Sequence, residues 1–151
     1  MGGDHGGRDL NRLGEQLNNL AIGNAGQRDE DGYITAIPGK EGHIFYGPYL
    51  ALPPGRYSVR VIFATDRPVA GASGDPGVVL EVVCREEIIA SLPLDEACLE
   101  AQVVAFPFNL PAAAEELTVE IRIFTRGECP FVVTSVDVRR LTAAFRHFAK
   151  T

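Results

Sequence analysis

Gly47-Pro48-Tyr49-Leu50-Ala51-Leu52-Pro53-Pro54-Gly55-Arg56-Tyr57-Ser58-Val59-Arg60-Val61-Ile62-Phe63 is the stretch that decides the fold class. It reads as a short strand, a tight turn and a long strand. Pro54 presets the φ that a turn needs at its second position, and Gly55 supplies the positive φ of a type II turn at its third. After the turn, Tyr57, Val59, Val61 and Phe63 alternate with Ser58, Arg60, Ile62 and Ala64. Period two places the first set on one face and the second on the other. Tyr49 and Tyr57, which flank the turn, are expected to brace it and to pack inside.

Working outward, the same grammar recurs. Gly32 to Ile37 reads as a first strand and His43 to Tyr49 as a second, with Phe45 and Tyr46 on opposite faces. Val78 to Arg85 is rich in β-branched residues. Ile88 to Leu92 follows a turn at Arg85-Glu86-Glu87, and Gln102 to Phe108 carries Pro107, which suits an edge or a strand end. Leu117, Val119, Ile121 and Ile123 alternate with Thr118, Glu120, Arg122 and Phe124. Phe131 to Leu141 closes the series, with Val132, Val136 and Val138 inward and Ser135, Asp137 and Arg139 outward. About eight short strands at regular spacing predict an antiparallel β-sandwich or jelly roll over 32–141.

The ends read differently. Leu10, Leu13, Leu17 and Leu20 recur at intervals of three and four, so the spacing predicts a short amphipathic helix over 9–20, capped by Asp9 and stopped by Gly23. Residues 142–150, with Phe145 and Phe148 on one side, predict a short terminal helix. Residues 1–31 thus form a tail and helix, and 142–151 a second tail. Asp66 to Gly77, dense in Gly and Pro, reads as a long loop of functional length.

Composition excludes several function classes. The chain of 151 residues carries a net charge of −6, with only two lysines and scattered arginines, which argues against nucleic acid. No apolar run approaches the ~20 residues of a membrane span, and Met1 to Arg8 lacks the apolar core of a signal peptide, so a cytoplasmic location is the default expectation. Cys84, Cys98 and Cys129 are widely spaced, with no CxxC pair, and read as buried reduced thiols. Asp29-Glu30-Asp31-Gly32 offers carboxylates of the kind that hold calcium, but without the spacing of an EF-hand loop. It reads as a solvated turn, and no cofactor is assigned. No G-x-S-x-G elbow, phosphate loop or H-E-x-x-H motif occurs, so the chain is not read as an enzyme.

At Gly47-Pro48-Tyr49, at Leu52-Pro53-Pro54-Gly55-Arg56-Tyr57, and at Leu117 to Ile123 with Val132 to Leu141, the chain resembles carbohydrate-binding-module-like domains. These have a galactose-binding-like, jelly-roll type of β-sandwich and accompany bacterial glycosyltransferases and other sugar-handling enzymes. The resemblance covers roughly 32–141. It implies a non-catalytic module for a glycan, beside a neighbouring catalytic domain.

A sugar site needs a ring to stack on C–H faces and planar polar groups to fix hydroxyls. The candidates are Tyr33, His43, Tyr46, Asp66, Arg126 and Glu128. Several have plainer readings. His43 suits a strand end satisfied by local hydrogen bonds, Asp66 caps its turn, and Arg126 pairs with Glu128 on the surface. A different class is a structural or assembly domain. There the helix over 9–20 and the Phe145–Phe148 tail make the contacts of a homo-oligomer or of a neighbouring domain.

Overall fold

The computed structural model describes residues 13–64, 77–95, 99, 102–113 and 115–141. They form two antiparallel sheets packed as a β-sandwich. The strands, in chain order, are β1 (Gly14–Glu15), β2 (Ala21–Ile22), β3 (Gly26–Arg28), β4 (Ile34–Ala36), β5 (Gly42–Leu52), β6 (Gly55–Ala64), β7 (Val78–Cys84), β8 (Glu87–Leu94), β9 (Val103–Leu110), β10 (Leu117–Thr125) and β11 (Val132–Arg140). One sheet runs β3-β4-β11-β6-β9, with β1 also on β11, and the other runs β2-β5-β10-β7-β8. The long strands nest, β4 beside β11, β5 beside β10, β6 beside β9 and β7 beside β8. The two open edges formed late in the chain, β8 and β9, carry Pro93 and Pro107.

The alternating rows form the core as their period requires. Tyr57, Val59, Val61 and Phe63 from β6 face Leu117, Val119, Ile121 and Ile123 from the other sheet, and all eight are buried. Removing each such side chain from water contributes roughly 1.5–3 kcal/mol. Tyr57 also braces the turn before it. Its hydroxyl donates to the Pro53 carbonyl at 2.6 Å, its ring stacks on Phe108 at 5.7 Å between centroids, and Arg140 lies over its other side. Burial pushes the Tyr57 phenol above its ordinary value.

Three expectations need correction. Residues 13–20 are not helical: β1 and a 3-10 turn over Leu17–Asn19 take their place. The leucine stripe is real, because Leu17 and Leu20 are buried, but it reaches this domain's own core through an extended chain. Arg28 fixes that path, donating to the carbonyls of Leu17, Leu20 and Gly32 at 2.9–3.0 Å. The Glu15 carboxylate ties β1 down by accepting from the backbone N–H of Leu17 and Val136 and from the Ser135 hydroxyl. Next, Val133, not Val132, points inward with Val136 and Val138. A register shift at Thr134 inserts one residue, and β-bulges do this to alternation. Last, Tyr49 is 62% exposed, so only Tyr57 of the two turn-flanking tyrosines is a core residue. The long loop over 66–76, the terminal helix over 142–150 and Cys98 lie outside the described residues.

The β7–β8 turn places Arg85 and Glu86 at φ 54° and 66°, the pattern of a type I′ hairpin. Side chains with a Cβ hold that region at a cost. Glu86→Gly is therefore expected to raise the unfolding free energy by roughly 0.5–1 kcal/mol, read from urea midpoints at constant slope.

Cys84 and Cys129 are free and buried, and burial pushes the Cys129 thiol up from 9.0 to about 11. The folded chain thus keeps a proton that the unfolded chain gives up first. That contribution to stability is complete below pH 9 and is lost as pH rises to about 11. Cys129→Ala should flatten the alkaline fall in stability over this window, read from urea midpoints at a series of pH values.

Candidate functional site

The outward face of the five-stranded sheet gathers the chemistry. Its geometry comes from a mismatch between β5 and β10. Their register runs from Leu52 opposite Leu117 to Gly42 opposite Thr125, which is ten steps on β5 and eight on β10. Two bulges absorb the two extra residues, between the pairs Ile123–Phe45 and Phe124–His43, and between Val119–Leu50 and Ile121–Gly47. An unbroken strand would send residues three apart to opposite faces. Each bulge resets the alternation once, so His43, Tyr46 and Tyr49 all point outward.

Local sequence explains both bulges. At the first, residues 23–26 cross β5, with Gly23 N–H donating to the Ile44 carbonyl at 3.1 Å and Ala25 N–H to the His43 carbonyl at 3.0 Å. A Cβ at Gly23 or Gly26 would overlap the carbonyls of His43 and Ile44, so only glycine permits this approach. Ile44 and Phe45 are both buried there. At the second, Gly47 holds φ +92° ahead of a cis Gly47-Pro48 bond.

Beside the His43–Tyr46–Tyr49 row stand the outward residues of β10 and β7. Register places Arg122 next to Tyr46 on one side and next to Glu81 on the other. Arg122 Nη2 donates to Glu120 Oε1 at 3.1 Å, and His43 Nε2 lies 3.5 Å from Glu81 Oε1. The His43 ring meets the Phe124 ring edge to face at 5.5 Å. The side chains of Glu120 and Glu81 are only 12% and 16% exposed, those of Arg122 and His43 29% and 34%. The hydrogen bond from Arg122 to Glu120 holds its guanidinium above the ordinary value, against partial burial and with help from the carboxylates of Glu120 and Glu81. The face thus combines an exposed phenol ring, a half-buried one and planar charged groups locked in place.

Of the residues picked from sequence, His43 and Tyr46 lie together on this face. Arg126 and Glu128 lie in the β10–β11 turn, joined by a 2.8 Å ion pair, with Arg126 N–H donating to the Gly77 carbonyl. Tyr33 sits elsewhere, in the turn between β3 and β4, where the Asp29 carboxylate accepts from the backbone N–H of Asp31 and Tyr33. Asp66 lies outside the described residues. Sequence reasoning weighed Tyr49 as a ring for the site but assigned it to the core, and it missed Glu81, Glu120, Arg122 and Phe124 as site residues. The period-two pattern of β10 already marks Glu120, Arg122 and Phe124 as sharing a face. No group of three or more metal-ligating side chains comes together among the described residues.

A cleft of about 180 Å³ lies at the turn end of the sandwich, between Leu13, Pro53, Tyr57, Glu116 and Arg140. It is smaller than the ~300–1,000 Å³ of typical small-molecule sites.

No family model matches the chain, and no curated protein matches it. Among solved structures, it is similar to the C-terminal CBM6 of LamC, a marine laminarinase from Zobellia galactanivorans. That match has a TM-score of 0.45 and 12% identity, and covers 82% of this chain and 90% of the other.

Tyr49 touches the face without supporting the core. Tyr49→Ala is expected to leave the urea midpoint within about 0.5 kcal/mol of wild type, as for other exposed substitutions.

Proposed function

We infer that this chain is a non-catalytic glycan-binding module of the jelly-roll type, and that a saccharide lies along the outward face of β5, β10 and β7. The single observation that carries the reading is the pair of bulges that turns His43, Tyr46 and Tyr49 to one side, beside Arg122, Glu120 and Glu81. Tyr49 supplies a ring for the C–H face of a sugar, and Tyr46 a second, flatter wall. The carboxylates accept from hydroxyls through the lone pairs that Arg122 leaves open, and the guanidinium donates through its remaining N–H groups. The nested strand pairs favour the jelly-roll assignment. A module of this kind works by holding a larger sugar-handling protein to its substrate, which is the role proposed here.

The assembly reading drew on the leucine stripe and on Phe145–Phe148. Leu17 and Leu20 of that stripe are buried in the domain's own core, while Leu10, Phe145 and Phe148 lie outside the described residues. The glycan reading is tested by an array of immobilised oligosaccharides followed by titration calorimetry on the best binder. Binding by the wild type, weakened about tenfold (~1.4 kcal/mol) in Tyr49→Ala and Tyr46→Ala, is the expected result. A blank array from folded protein, or binding indifferent to both tyrosines, would overturn it.

A further inference from the structure

The face holds two carboxylates for one guanidinium. Among the described residues, the titratable groups on it are His43, Tyr46 and Tyr49 from β5, Glu120 and Arg122 from β10, and Glu81 from β7, with Ser91 of β8 opposite Glu81. Arg122 is also enclosed. Glu120 takes its Nη2 at 3.1 Å, and Glu81 is its direct cross-strand neighbour. Both carboxylates are largely out of water, where charge acts more strongly than at an open surface.

A surface arginine beside an aromatic residue would ordinarily recruit carboxylate, sulfate or phosphate, because its planar fork fits them. Here an anion that took the remaining N–H groups of Arg122 would approach the carboxylates of Glu120 and Glu81 at close range. A hydroxyl meets no such barrier, since each carboxylate keeps acceptor sites free. We propose, resting on the saccharide-binding reading of this face, that Glu81 and Glu120 are its specificity residues: they admit uncharged saccharides and exclude those bearing uronate, sulfate or phosphate groups through the negative charge they place on either side of Arg122. Affinity for sugar comes from the rings, and discrimination by charge comes from the two acids. Specificity of this kind depends on the repulsive element as much as on the attractive one.

The test is an array of neutral oligosaccharides printed beside their uronate- and sulfate-bearing counterparts, probed with wild type, Glu81→Gln, Glu120→Gln and the double variant. Ser91→Lys is added because it places a positive charge opposite Glu81 and leaves both ion pairs intact, so it reports even where a Gln variant folds poorly. Wild type is expected on neutral spots, with its signal about tenfold lower on their anionic counterparts. The Gln variants and Ser91→Lys are expected to raise the anionic signal by about tenfold and to lose the gained binding in 0.5 M salt, and Ser91→Lys, which removes no group of the binding face, is expected to keep neutral binding within about threefold. Equal wild-type binding to neutral and anionic partners, or an unchanged ratio in every variant, would overturn the proposal while leaving saccharide binding intact. A wild-type array blank on both kinds of spot would overturn both readings.

Discussion

β5 is longer than the strand it must pair with, and the two surplus residues decide what the molecule presents to solvent. Backbone N–H and C=O groups in a sheet have to be satisfied, so the surplus cannot simply be left slack. It is taken up in two bulges, and each rotates the following segment by one step of the pleat. The inner surface gains Ile44 with Phe45, and the outer surface gains Tyr49 with Tyr46. One strand thus fills the core and displays three rings, which a regular strand of this sequence could not do.

The surrounding structure is arranged to hold that strand in place. β10 pairs with β5 on one side and with β7 on the other, and its inward row of Leu117, Val119, Ile121 and Ile123 is wholly buried. Its outward row then has a fixed position, which is why Glu120 and Arg122 stand at defined distances from the rings of β5. Gly23 and Gly26 let the N-terminal segment cross β5 closely enough to pin the first bulge. Arg28 anchors the chain on its way to that crossing. Packing energy thereby sets the geometry of polar groups that contribute little to stability themselves.

Much of the fold was legible because it depends on local period. The rows from Tyr57 to Phe63 and from Leu117 to Ile123 needed only alternation, and Tyr57 beside Pro53 needed only turn chemistry. The leucines from Leu10 to Leu20 misled, since spacing of three and four also arises where an irregular extended chain drops successive residues onto a sheet. Val132 was misassigned for one extra residue at Thr134. The site was half legible. Tyr46 and His43 could be chosen by residue type, and Glu120, Arg122 and Phe124 by strand period. Tyr49 could not, because its direction is set by the length of β5 measured against β10, some seventy residues further along the chain. Register is a relation between strands, and no single strand records it.

The prolines of the two late edges bear on how such a domain behaves in company. Open strand edges are templates on which other chains can add. Pro93 in β8 and Pro107 in β9 each remove a donor from these edges. Another chain crowded against β8 or β9 would then meet these edges through side chains and stay separable, so the two sheets resist being extended by strands that are not their own.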